Sequence, residues 1–352
     1  MNLPKINALD KSLEALIKKR LDSLTKPVGS LGMLEEIAQK MALIKNSLKP
    51  AVEKKRVYVF ASDHGIAEEG VSAYPQDVTK EMVKNFISGG AAINVFSKHT
   101  NTEVIVVDAG VKTDIKARSE KFIVRKLARS TKNFAHEPAM TRDEAEKCIQ
   151  TGVELAENAA RDGVDIIVIG DMGIGNTTVA AAISVAGGIE IDKVIDIGTV
   201  IDSLTLKRKK RVIENAVRLH SPDPKDPIDI LSKVGGYCIG QMTGLILKAA
   251  SIGIPVVLDG FPVTSAALLA YKLEPKVKDY LFAGHLSAVR GHKTLLDYLG
   301  LEPILRLDMR LGEGTGGVLA LSIIEAAVKM MNEMATFEDA GVSKGKEDVK
   351  IQ

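Results

Sequence analysis

Tryptophan is absent from the 352 residues, and aromatic side chains make up only 4% of them. A stacking surface for nucleic acid needs aromatics set among basic residues, and this composition offers few. Charge of one sign is not in excess either: 47 Lys and Arg stand against 45 Asp and Glu, for a net charge of +2. The one dense basic run, Leu206 to Arg211 ("LKRKKR"), reads as a solvated helix face or as a local anion site. Cysteine occurs twice, as Cys148 and Cys238, with no C-x-x-C pair and no disulfide framework; this points to a reducing, cytoplasmic setting. No H-E-x-x-H, clustered His or Cys pair is present, so no metal site is expected. No G-x-S-x-G elbow supports serine hydrolysis. No apolar run reaches the roughly 20 residues of a membrane span. The opening "MNLPKINALDKSLEALIKKR" has no signal-peptide core, again the expectation for a cytoplasmic chain.

What is present is aliphatic. Hydrophobic residues make up 45% of the chain, mostly Ala, Val, Ile and Leu, which suits parallel strands buried under helices. Five apolar runs end in polar residues and glycine: "KRVYVFASDHG", "EVIVVDAG" (Glu103 to Gly110), "DIIVIGDMGIG" (Asp165 to Gly175), "IPVVLDG" (Ile254 to Gly260) and "YLFAGH" (Tyr280 to His285). Helical patterns separate them, including Glu144 to Asp162, opened by the capping box Thr141 to Glu144, and Ile239 to Ser251. Residues 8–48 read as helices broken at "KPVGSLG", and the tail "GVSKGKEDVKIQ" reads as frayed. Strand alternating with helix predicts an α/β protein with a mostly parallel sheet and helices on both faces. Ligands of such sheets bind beyond the C-terminal strand ends. Asp63-His64-Gly65, Asp108 to Gly110, Asp171 to Thr178, Asp259-Gly260 and Gly284-His285 all fall there, so an enzyme is expected rather than a passive binding module.

Three loops carry the chemistry. "MRLGEGTGG" (Met309 to Gly317) has the G-x-G-x-x-G spacing of a dinucleotide turn. That reading fails because no apolar run follows the next helix, roughly Val318 to Met334, to supply the second strand. What remains is a glycine-rich helix entry or a mount for Glu313, whose carboxylate, if desolvated, becomes a general base. In "VIGDMGIGNTT" (Val168 to Thr178) an apolar strand, an acid, Gly-x-Gly and Asn-Thr-Thr open an Ala-rich helix. Backbone N–H groups and the helix dipole make this a phosphate cradle, preferred here to a plain capped helix; it is not a Walker A loop, because G-K-[ST] is missing. In "DHGIAEEGVSAYPQDVT", His64 reads as a hydrogen-bonded structural residue, while Ser72 and Gln76 lie on a loop able to line a pocket.

Taken in order, "KPVGSLGMLEEIA", "ASDHGIAEEGVSAYPQDVT", "SGGAAINVF", "GDMGIGNTTVAAAI", "SKVGGY", "GIPVVLDGFPVTSAAL" and "MRLGEGTGG" resemble the nicotinate-nucleotide:dimethylbenzimidazole phosphoribosyltransferase family of cobalamin lower-ligand synthesis. The similarity runs from about Lys26 to Met334. It implies a Rossmann-like sheet plus a small helical domain from both chain ends, divided as 1–50 with about 330–352 and 51–329. It implies a homodimer that transfers ribose 5-phosphate from nicotinate mononucleotide to 5,6-dimethylbenzimidazole with inversion, without a cofactor or metal. Residue by residue, it implies Glu313 as general base and a phosphate site at Met172, Gly173, Ile174, Gly175 and Asn176, helped by Gly198 and Lys209. It implies a base pocket that includes Gln76 and Leu311, to which Ser72 is added from its loop. The family's loop usually reads "GEMGIGNTT", with a glutamate implicated in catalysis; this chain has Asp171 there, one methylene shorter.

The chemistry agrees with the residues. Nicotinate departs from a pyridinium as a neutral ring nitrogen and needs no acid. The attacking ring carries one N–H, which a single carboxylate can take. A phosphoribosyl-pyrophosphate-dependent transferase is the competing enzyme, but its loop normally opens with two adjacent acids, and only Asp171 stands in that place. Relatives that activate phenols or other bases, usually as heteromers, are the other alternative.

Overall fold

The structure is a computed structural model and describes residues 3–195 and 203–343. Most of the tail read as frayed lies outside these, as does Gly198. The chain divides into two compact units: Met1–Ala8 with Glu53–Leu321, and Leu9–Val52 with Ser322–Gln352. The division thus falls within the helix Thr315–Glu333, not at its end.

The larger unit is built on a seven-stranded sheet, parallel at every pairing. Its strands are β1 (Lys55–Ser62), β2 (Thr102–Gly110), β3 (Phe122–Val124), β4 (Ile166–Met172), β5 (Val256–Leu258), β6 (Leu281–His285) and β7 (Pro303–Leu305). β1 is buried at every residue, and β4 at every residue except Met172. Such runs do not alternate because helices cover both faces of the sheet. The five strands expected from the apolar runs all form. β3 and β7 add an edge each; at three residues they leave no run to read.

The helices follow the same logic. Arg142–Arg161 buries Ala145, Cys148, Ile149, Gly152, Val153, Ala156 and Ala159, the stripe of a helix with one face on a core. Its capping box is made: Glu144 N–H donates to Thr141 Oγ1 at 3.2 Å, and Thr141 N–H donates to Glu144 Oε2 at 2.7 Å. Tyr237–Ser251 is buried from Tyr237 to Leu247, and Phe261–Leu273 from Phe261 to Ala270. Helices apolar all round belong inside a core.

The strand order is β3-β2-β1-β4-β5-β6-β7. The chain moves outward one way from β1 and then, after β3, outward the other way from β4. The order therefore reverses between β1 and β4, and a crevice opens beyond their carboxyl ends, where open α/β sheets bind ligands. Phe60 pairs with Asp171 and Ala61 with Met172, so the strand exits at Asp63 and Asp171 emerge side by side there.

The smaller unit is helical, with Glu14–Ser23 and Met33–Ile44 burying Ile17, Leu21, Ile37, Ala38 and Met41. The Arg20 guanidinium donates to the carbonyls of Met331 and Met334, satisfying orphan acceptors at the end of the last helix. Among the described residues no helix is long and apolar enough to cross a membrane.

Candidate active site

A cavity of about 380 Å³ lies beyond the carboxyl ends of the central strands. Its walls come from the loop after β4 (Asp171 to Thr177), the exits of β5 and β6, the segment Arg310 to Glu313, and the loop Val71 to Tyr74 with Val78 and Met82.

The loop after β4 turns directly into the helix Asn176–Ala186, with Gly175 at the cap in a left-handed conformation (φ +93°). Ile174 N–H is anchored on Thr79 Oγ1 at 3.1 Å, and Thr177 N–H donates to the Asn176 side-chain oxygen at 2.7 Å. Lys209, carried by the helix Ser203–His220, is only 3% exposed, and its Nζ donates to Thr177 Oγ1 at 2.9 Å. A lysine therefore sits at the positive end of a helix dipole, on the cavity wall. Of the basic run, Lys209 is buried together with Ile213 and Ala216, one helical stripe, while Lys207, Arg208 and Arg211 are exposed. The exposed residues fit the solvated-face reading of "LKRKKR", and Lys209 alone turns to the cavity.

Asp171 lies at the foot of this loop, 3% exposed, with Oδ2 accepting from Asn176 Nδ2 at 2.6 Å. Burial raises its pKa to about 7; the Asn176 hydrogen bond opposes this, and the charge of Asp259 adds to it.

Glu313 faces the same cavity on a very different mount. Gly312, Glu313 and Gly314 have φ of +89°, +66° and +92°. Left-handed backbone costs a non-glycine residue roughly 1–2 kcal/mol and persists only where the surrounding structure holds it. The loop is pressed onto β4: a Cβ on Gly170 would lie 2.4 Å from the Glu313 carbonyl carbon. Glu313 is 4% exposed, and its carboxylate accepts from the N–H of Ile93, in the helix Ala92–His99, at 3.4 Å. Burial raises its pKa from the usual 4.5 to about 7, against the Ile93 hydrogen bond and with help from the Asp259 charge.

The cavity thus gathers Asp171, Met172, Gly173, Ile174, Gly175, Asn176 and Lys209 with Ser72, Leu311 and Glu313. Gln76 is not among its lining residues; its amide donates instead to the His64 carbonyl at 3.1 Å. Gly198 lies outside the described residues. His64 is fully buried, 3.9 Å from Cys238 Sγ, and burial pulls its pKa down to about 4, so it is neutral and structural. Sequence reasoning assigned no role to Tyr74, Met82 and Phe261, which line the cavity together with Thr177 and His285. His285 and Asp259 were visible only as polar ends of apolar runs. Among the described residues no group of His, Cys, Asp and Glu is arranged to hold a metal ion.

A doubly wound α/β fold, a helix N-terminus with a buried lysine at its switch point and two carboxylates raised towards neutrality are the features of an enzyme site. The comparisons narrow the class. A family model described as phosphoribosyltransferase matches residues 6–342, and the chain belongs to that family. A nicotinate-nucleotide–dimethylbenzimidazole phosphoribosyltransferase of Geobacter sulfurreducens is 52% identical over 344 residues, covering 97% of each chain. One of Chloroflexus aggregans is 49% identical over 343 residues, again covering 97% of each. The crystal structure of the Thermus thermophilus enzyme of that name superposes with a TM-score of 0.90 at 43% identity, covering 96% of this chain and all of that one.

Proposed function

We propose that this enzyme transfers the ribose 5-phosphate of nicotinate mononucleotide to 5,6-dimethylbenzimidazole, giving α-ribazole 5′-phosphate and nicotinate. One observation carries the reading: Glu313, with its pKa near 7, and the Lys209-bearing helix start line one cavity. The relatives at about half identity over nearly the full length bear the name of this reaction.

The 5′-phosphate rests on the loop Met172 to Asn176, with Lys209 supplying the positive charge. The acceptor ring lies against Leu311, Ser72 and the apolar residues around them, with Gln76 at the base of that loop. The acceptor's bare ring nitrogen attacks the anomeric carbon from the face opposite nicotinate. The bond to the pyridinium breaks, and its electron pair stays on the nicotinate nitrogen. The proton on the acceptor's second nitrogen passes to the Glu313 carboxylate, so the product is not left cationic. A base with a pKa near the working pH combines ionised population with proton affinity. The rest of the rate enhancement is positioning of two rings across one ribose. Asp171 stands at the anomeric end of the phosphate loop as the second carboxylate. The enzyme works as a cytoplasmic homodimer.

The test is a product assay with nicotinate mononucleotide and a panel of acceptors: dimethylbenzimidazole, benzimidazole, adenine and a phenol. Formation of α-ribazole 5′-phosphate with release of nicotinate, unaffected by a chelator, is the expected result. Turnover only with phosphoribosyl pyrophosphate and Mg²⁺ would refute it. Light scattering at working concentration reads the dimer.

A further inference from the structure

Asp259 takes no part in the reaction above, yet its carboxylate organises the ground on which Glu313 stands. It follows β5 immediately and is completely buried. Its Oδ2 accepts from Gly314 N–H at 3.0 Å, and its Oδ1 from Gly316 N–H at 2.8 Å and Gly317 N–H at 3.1 Å. His285 Nε2 lies 3.4 Å from the same Oδ1. The three N–H groups open the helix that begins at Thr315. A helix usually takes its cap from the residue just before it. That residue is Gly314, which has no side chain to offer, and a strand end 55 residues earlier in the chain supplies the cap instead.

The arrangement matters because of what precedes the helix. Gly312, Glu313 and Gly314 are left-handed in succession, a backbone that persists only when its surroundings over-determine it. Two attachments do so: Glu313 N–H on the Asp171 carbonyl at 3.2 Å, and Asp259 on Gly314. His285 is packed into the same clamp, since a Cβ on Gly316 would lie 2.1 Å from its Cδ2. We propose that Asp259 is a positioning residue for Glu313, clamping the first turn of the following helix so that the general base is held over the cavity. The proposal rests on Glu313 being the base.

The clamp also bears on protonation. Burial alone would raise the pKa of Asp259, but His285 and the N–H groups of Gly317 and Gly314 outweigh it and hold the group below its usual 3.8. Asp259 is therefore a fixed negative charge, and it raises both Glu313 and Asp171. The other titratable or charged groups lining the cavity are Tyr74, Asp171, Lys209, His285 and Arg310; of these, Asp171 and His285 also feel the Asp259 charge, which is why the test is read against a Glu313→Gln background.

The experiment is a double-mutant cycle on the full enzyme with Asp259→Asn and Glu313→Gln, read as kcat, KM and pH profile. Displacing a base by an ångström costs about 100-fold; a kcat loss of that order is expected for Asp259→Asn, with KM for nicotinate mononucleotide little changed. Removing a like charge lowers the pKa of the base, so the acid limb of kcat moves to lower pH. In the Glu313→Gln background the same substitution has little further effect, because its route to the reaction is already gone. Equal losses in both backgrounds, a loss confined to KM, or an acid limb that stays in place would each overturn the clamp. If Glu313→Gln itself keeps full turnover, it is the base assignment that fails. Should Asp259→Asn lack a cooperative melt, Asp259→Glu carries the test: it keeps the charge on a longer arm. Its kcat should fall without a shift of the acid limb, again only when Glu313 is present; wild-type kcat in Asp259→Glu would refute positioning.

Discussion

The backbone N–H of Glu313 donates to the carbonyl oxygen of Asp171 at 3.2 Å, so the two loops that carry the cavity's carboxylates are fastened to each other. The fastening is possible because β4 has no side chain at Gly170, where the Glu313 loop lies against it. Two groups titrating near 7 consequently share one wall, each raised first by burial and then by the same third charge, Asp259. Groups perturbed in this way are candidates for moving protons.

Glu313→Gln is expected to lower kcat by about 10²–10⁴-fold, the usual contribution of a positioned base. Donor binding should survive, because the phosphate loop is a separate element, Asp171 to Thr177. Single-turnover kinetics beside calorimetric titration of nicotinate mononucleotide separates the two. Unchanged turnover removes Glu313 from the mechanism.

Asp171→Glu tests the one departure from the family's usual loop. The present carboxylate is tethered to Asn176 at 2.6 Å, and a side chain one methylene longer reaches further into the cavity. Turnover equal to or above that of the parent is expected if the position serves the family's role. Complete loss, with an intact melting transition, would mean that the loop has been rebuilt around aspartate.

How far the sequence carries depends on the range of each interaction. β1, β2 and β4 to β6 were legible because a strand buried on both faces must be written as an apolar run. β3 and β7 were not, since three-residue edges such as Phe122–Val124 have no such pattern. The glycine-rich turn from β4 into the helix Asn176–Ala186 was legible because its strand, glycines and helix start are contiguous. The clamp on Glu313 was not, because the partners of Asp259 lie 55, 57 and 58 residues away. Gln76 shows the opposite limit: its place on a pocket loop could be read, but not that its amide turns to the His64 carbonyl. The choice of Lys209 among the neighbouring basic residues came from family resemblance. The helical stripe with Ile213 and Ala216 is the physical signal that singles it out.

Lys209→Ala is expected to weaken binding of the phosphorylated donor by about 10–100-fold, the value of one charge-assisted hydrogen bond. Affinity for the uncharged acceptor should hold. Titrating nicotinate mononucleotide and dimethylbenzimidazole separately against the variant decides it. Equal loss for both ligands would refute a phosphate contact and point to a collapsed cavity.

The raised pKa of Glu313 also predicts a pH signature in stability. Its folded value, about 7, lies above the ordinary 4.5, so the fold favours the protonated form. That contribution is fully present below the unfolded pKa and is lost as pH rises through 7. Glutamine mimics the protonated carboxyl and cannot ionise. The melting temperature of Glu313→Gln should therefore match the parent near about pH 4 and exceed it near about pH 8. A shift of this size corresponds to roughly 3 kcal/mol. Asp171 titrates alongside in both proteins and cancels in the difference. A difference that is flat across this range, or negative at its upper end, would show that Glu313 ionises in the folded protein without cost.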